Sequence, residues 1–205
     1  MVVIIDYGMG NLFSVANALK FLNADAKISG RAEDIKSSDK IILPGVGSFA
    51  EGMKNLENLG IIKTLEEEVV KTKKPFLGIC LGMQLLADEG EENGLTKGLG
   101  WFAGRVRRFG IDEKKYRLPH VGWNDVAPRA GEELFRGIEK PVFYFVHSYH
   151  LVSENERDII ATCDYGERFA AAVRKKNIFG TQFHPEKSQK NGLKLLENFL
   201  KFKTV

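Results

Sequence analysis

The chain has 205 residues, 43% of them hydrophobic and 28% charged, which suits a globular fold with a sizeable core. Its 30 basic and 27 acidic residues leave a formal net charge of +3, too near balance to argue for a nucleic-acid partner. Two cysteines, Cys80 and Cys163, exclude a disulfide framework and a cysteine-rich zinc site.

In chain order, "VVII" (2–5) predicts a buried parallel strand, followed by a Gly-rich turn, "DYGMGN". This apolar start stops at Asp6, too short for a secretory signal, and no later run reaches the roughly 20 apolar residues of a membrane span. The expected location is the cytoplasm, with no membrane contact. Leu12, Val15, Leu19 and Leu22 then fall on one face of a helix over 12–22. "KIIL" (40–43) predicts a second buried strand, closed by Pro44, and Ile61, Leu65 and Val69 give helical spacing within 60–74. "PFLGI" (75–79) predicts a third strand, and "LGMQLLADEG" (81–90) the helix after it.

To about residue 90 the order is therefore β-α-β-α-β-α, which predicts a parallel sheet with helices on both faces. After residue 100 the texture changes to short alternating segments: "GRVRRF", "KYRLPHVGW", "PVFYFVHSYHLV", "RDIIATCDYG" and "FAAAVRKKNIFGTQF". These predict antiparallel strands and hairpins. An amphipathic helix over 191–202 closes the chain. No linker or repeat interrupts it, so the expectation is one α/β domain over 1–205.

Gly78-Ile79-Cys80-Leu81-Gly82 is G-x-C-x-G, the thiol counterpart of the strand-to-helix nucleophile elbow. Such a bend strains its central residue and crowds the residues two before and two after it, which here lack side chains. A helix beginning at Leu81 would favour the thiolate. The same residues equally fit a buried cysteine at a tight turn. Cys163, in "IIATCDYG", lacks the glycines and reads as core.

A thiol nucleophile needs a base and a group to orient it. His184 and Glu186 in "FHPEKS" follow a predicted strand, and residues i and i+2 of extended chain point to one side. Alone, this tripeptide also fits a strand-end loop with a solvated acid; with Cys80 it reads as catalytic. "PGVGSFA" raises a different possibility, because Gly45, Gly47 and Ala50 fit G-x-G-x-x-A, a dinucleotide fingerprint. Pro44 before the first glycine, the loop's place after the second predicted strand, and the lack of a ribose-holding acid argue against it. The alternative is an oxyanion site: the Leu81 amide together with donors from the Gly45-Val46-Gly47 loop.

Together, "GICLGMQ", "PGVG" and "FHPEKS" resemble the class I, triad-type glutamine amidotransferases, over nearly the whole chain. "DYGMGNLFSV", "LPHVGWN" and "YFVHSY" narrow the resemblance to the glutaminase subunits of imidazole glycerol phosphate synthases, of histidine biosynthesis. The resemblance implies a mostly parallel, flavodoxin-like sheet flanked by helices, with antiparallel strands in the C-terminal half. It implies Cys80 as nucleophile, His184 as base and then acid, and Glu186 as orienter. Gly45, Val46, Gly47 and Leu81 would bind the oxyanion, Gln84 and Glu92 the glutamine, and His147, Ser148 and Tyr149 would line its pocket. No cofactor and no metal are implied. The partner would be a (β/α)8-barrel cyclase in a heterodimer, receiving ammonia from L-glutamine, with Asn11, Trp123 and Lys187 at the contact. Competing readings are a subunit of another amidotransferase, a stand-alone cysteine hydrolase, and a non-catalytic module on the same fold.

Overall fold

The computed structural model describes residues 1–203. Its centre is an eight-stranded sheet. The strands are β1 (Val2–Ile5), β2 (Ala26–Ser29), β3 (Lys40–Gly45), β4 (Phe76–Cys80), β9 (Ala127–Pro128), β12 (Ile159–Tyr165), β13 (Glu167–Lys175) and β14 (Ile178–Thr181). They lie in the order β2-β1-β3-β4-β14-β13-β12-β9. The first five are parallel and the last three join antiparallel. That parallel order is the flavodoxin-like one, which places reactive groups beyond the carboxyl ends of its strands.

Four apolar residues in a row form β1 because both faces of the sheet are covered. Val2 and Ile4 pack with Val15 and Leu19 of α1 (Leu12–Phe21) and with Leu195 and Phe199 of α6 (Gln189–Lys201). Val3 and Ile5 pack on the other side, with Leu56 of α3 (Phe49–Asn58) and Leu65 of α4 (Ile62–Leu65). Alternate residues serve opposite cores, so no polar face is left to alternate. A four-stranded sheet of β5 (Ala87–Gly90), β6 (Thr96–Lys97), β7 (Phe102–Arg108) and β11 (Tyr149–Ser153) stands beside the main one. A two-stranded ribbon pairs β8 (His120–Asp125) with β10 (Val142–His147).

Several elements depart from the sequence expectations. Edge strand β2 and the six-residue α2 (Ala32–Ser37) occupy a stretch whose sequence shows neither period. The helix through α4 widens to π-helix over Glu66–Lys71, where Thr72 N–H donates to the Glu67 carbonyl five residues back. The helix expected over 81–90 lasts one turn, α5 (Leu81–Gln84), and β5 replaces the rest. The carbonyls of Leu85, Leu86 and Ala87 accept from the amides of Leu99, Trp101, Phe102 and Gly100, so they are taken before a helix could use them. Last, β14 is parallel to β4 rather than antiparallel, which sets the segment ending in His184 beside the strand ending in Cys80.

Candidate active site

Cys80 ends β4 with φ +54 and ψ −108, a conformation costly for a side-chain-bearing residue. The flanking glycines make that bend possible. A Cβ on Gly78 would stand 2.5 Å from the Gly82 carbonyl oxygen, and one on Gly82 would stand 1.8 Å from that of Leu43. Both approaches are closer than any side chain tolerates, so the G-x-C-x-G spacing is a steric requirement of this elbow. With α5 only one turn long, the free N–H groups of that first turn, rather than a long helix dipole, are what the bend offers the sulfur.

His184 follows β14, the parallel neighbour of β4. Its N–H donates to the Tyr144 carbonyl (2.9 Å) and its carbonyl accepts from the Ser188 hydroxyl (2.6 Å). Next to it, Phe183 stacks on Phe143 at 4.0 Å. The chain then turns as a 3-10 helix over Pro185–Lys187, with His184 capping it. The Glu186 carboxylate reaches His184 Nδ1 at 2.8 Å through this tight turn, not through the extended chain expected from i, i+2 spacing. Both side chains are nearly buried, at 3% and 2% exposure.

Burial alone would lower the His184 pKa. The charge of Cys80, direct interaction with it, and Glu186 outweigh that and raise it to about 10. His184 Nε2 has no partner of full hydrogen-bond geometry, and the sulfur instead lies 3.9 Å from the Val146 carbonyl oxygen and 3.7 Å from Gln182 Nε2. Electrostatics thus couples the pair although the final hydrogen bond is not drawn tight.

The remaining expected residues fall around this centre. Gly45 is the strand partner of Cys80 in the β3–β4 ladder, which places the Gly45-Val46-Gly47 loop beside the elbow and the Leu81 amide. Gly45 is buried while Val46 and Gly47 are exposed. Glu92 Oε2 accepts from Phe49 N–H (2.9 Å) at the start of α3, just after that loop. Gln84 is buried and donates from Nε2 to the Tyr149 carbonyl (2.9 Å) and to Gln182 Oε1 (3.1 Å). His147 has both ring nitrogens engaged, by the Tyr149 carbonyl (2.9 Å) and by His120 (3.1 Å), so it shapes the site from behind. Ser148 and Tyr149 follow it, half-buried. Trp123 is 47% exposed and packs against Tyr144, over which Lys187 Nζ also lies at 5.8 Å. Those two share one patch next to the 3-10 turn. Asn11 is exposed at the start of α1, where its side chain accepts from Ser14 N–H.

Two further residues carry no mark in the sequence, Gln182 and Tyr7. Gln182 touches the sulfur. Tyr7 is 3% exposed, its hydroxyl has no partner, and burial first and Cys80 second push its pKa up. A Cβ on Gly45 would sit 2.2 Å from that hydroxyl, so Tyr7 backs the Gly loop. A cavity of about 650 Å³ lined by Arg107, His150, Glu156 and Arg168 among others includes neither Cys80 nor His184, and the chemistry decides the site rather than the volume. Among the described residues no cluster of three or more His, Cys, Asp or Glu side chains could hold a metal ion.

The sequence profile of the family described as "Glutamine amidotransferase class-I" matches residues 3–202. The chain belongs to that family. The amidotransferase is 48% identical over 202 residues to imidazole glycerol phosphate synthase subunit HisH 2 of Pseudomonas aeruginosa, covering 98% of each chain. It is likewise 48% identical to subunit HisH of Leptospira interrogans, covering 97% of this chain and 98% of that one. Among solved structures, one described as a glutamine amidotransferase matches with a TM-score of 0.76 at 22% identity, covering 98% of both chains. Another, PurLQS from Thermotoga maritima, matches with a TM-score of 0.73 at 20% identity over 97% of this chain and 96% of that one. At those identities the two structures speak for the fold of the amidotransferase.

Proposed function

We propose that this amidotransferase is the glutaminase subunit of an imidazole glycerol phosphate synthase and that Cys80, His184 and Glu186 carry its chemistry. The observation that supports this most is the placement of a strained cysteine at the end of β4 and a buried His-Glu pair after β14, the adjacent parallel strand, close enough for Cys80 to raise the pKa of His184. The near-full-length identity to HisH subunits supports the choice of acceptor system.

Cys80 gives its proton to His184, and Sγ attacks the side-chain amide carbon of glutamine. The carbonyl oxygen takes negative charge, and the Leu81 amide with the 45–47 loop supplies donors for it. His184, oriented by Glu186, gives its proton to departing ammonia. Water then hydrolyses the γ-glutamyl thioester, with His184 accepting its proton, to release glutamate. Ammonia passes to a (β/α)8 cyclase subunit held against the face that carries Trp123 and Lys187. Enclosure keeps it unprotonated and nucleophilic, where in water it would become ammonium.

A split assay of the two-subunit complex tests this. The Cys80→Ala complex should lose glutamine-dependent synthesis by a factor of at least ~1000 and keep synthesis from added ammonium salts. Loss of both would make Cys80 structural; retention of both would remove it from the chemistry.

A further inference from the structure

Gln182 is fully buried, anchored by its N–H to the Ala171 carbonyl (2.9 Å), and holds a terminal amide nitrogen 3.7 Å from the sulfur of Cys80. The two ends of an amide are told apart by their partners, and here the partners leave one arrangement. Gln84 lies 2.9 Å from the Tyr149 carbonyl, which only accepts, so its NH2 group must be there. That same nitrogen lies 3.1 Å from one terminal atom of Gln182, which must then be the oxygen. The NH2 of Gln182 is left pointing at sulfur. Its counterpart on the sulfur is the Val146 carbonyl, an acceptor at 3.9 Å that suits the protonated thiol.

Taking Cys80 as the nucleophile, as proposed above, we infer that Gln182 is a catalytic hydrogen-bond donor to its sulfur, strongest whenever that sulfur is an anion. A donor favours the thiolate over the thiol before attack. It acts again at the end of the cycle. When the thioester is hydrolysed, water oxygen bonds the carbonyl carbon, its proton goes to His184, and the C–S bond breaks with its electron pair passing to sulfur. Gln182 is then in place to receive that charge. The orienting role of Gln84 gives the amide chain its direction, from the Tyr149 carbonyl to the nucleophile.

The titratable groups around the sulfur are His184 with Glu186 behind it, and Tyr7; His147 faces His184 from β10. The test leaves all of these in place. The rate of Cys80 alkylation by iodoacetamide is measured against pH for the full chain and for the Gln182→Met and Gln182→Glu chains, with Cys80→Ala giving the background from Cys163. Circular dichroism monitors folding. The midpoint should rise by about one pH unit in Gln182→Met. It should rise further in Gln182→Glu, where a carboxylate replaces the donor at nearly the same shape. Deacylation in a single turnover with glutamine should slow by about tenfold in both. An unshifted midpoint in either folded variant would overturn the inference, and so would failure of both variants to fold, which would assign Gln182 to the core. The underlying reading fails separately: a Cys80→Ala chain that still hydrolyses glutamine would remove the nucleophile whatever Gln182 does.

Discussion

Cys80 is the place where stability and function pull apart. Its φ of +54 is tolerable for glycine and costly for cysteine. The Cys80→Gly chain should therefore be more stable than the Cys80→Ala chain by about 1–2 kcal/mol, and both should be inactive. Urea denaturation of the two measures this, and equal midpoints would mean that the elbow carries no strain. The residues proposed as catalytic are legible at this scale because short patterns mark them: glycines two before and after Cys80, and a His-Pro-Glu after an apolar run. Gln182 and Tyr7 carry no such mark. Their roles come from partners far along the chain, Gln84 with Cys80 in one case and Gly45 in the other, and spacing alone does not encode those meetings.

Elements show where local reading stops. The strands β1, β3 and β4 are continuous apolar runs and were predicted as such, because full burial on both faces is written in composition. The residues after Cys80 look helical but become β5, since residues 99–102 capture the carbonyls that a helix would need. Short, half-exposed β2 and α2 bury too few side chains to leave a periodic trace. The β8–β10 ribbon carries a testable feature, the cross-strand pair His120 and His147. The Tyr149 carbonyl fixes the His147 proton on Nδ1, so His147 Nε2 accepts from His120 Nδ1–H. Burial lowers the pKa of His120 to about 4 and that of His147 to about 3. An unfolded chain protonates both as pH falls below about 6.5, while the folded chain resists. Their contribution is complete above about 6.5 and is lost as pH falls from there toward about 4 for His120 and about 3 for His147. His184, raised to about 10, has the opposite sense: its contribution is complete below about 6.5 and is lost only as pH rises toward 10. Unfolding free energy should therefore fall between pH 7 and pH 5 by on the order of 1–2 kcal/mol per histidine of the pair. The His120→Gln chain should show a shallower fall, and an unchanged slope would contradict the neutral, buried pair.

At the scale of the molecule, the order β2-β1-β3-β4-β14 makes the site. Cys80 and His184 are more than a hundred residues apart in sequence, and the parallel pairing of β14 with β4 brings their strands side by side. The sequence supports a parallel sheet, but it does not encode that the strand before His184 joins it as the neighbour of β4, because that pairing depends on the whole sheet closing. No helix among the described residues is long and apolar enough to cross a membrane. The exposed patch of Trp123 and Lys187 around Tyr144 lies next to the turn that carries Glu186. The most direct measurement of the central claim is mass spectrometry of the complex quenched in acid during turnover of glutamine. A γ-glutamyl group should appear on the peptide containing Cys80 and be absent from the Cys80→Ala chain. Turnover of glutamine with no adduct at Cys80, or with the group on any other residue, would contradict it.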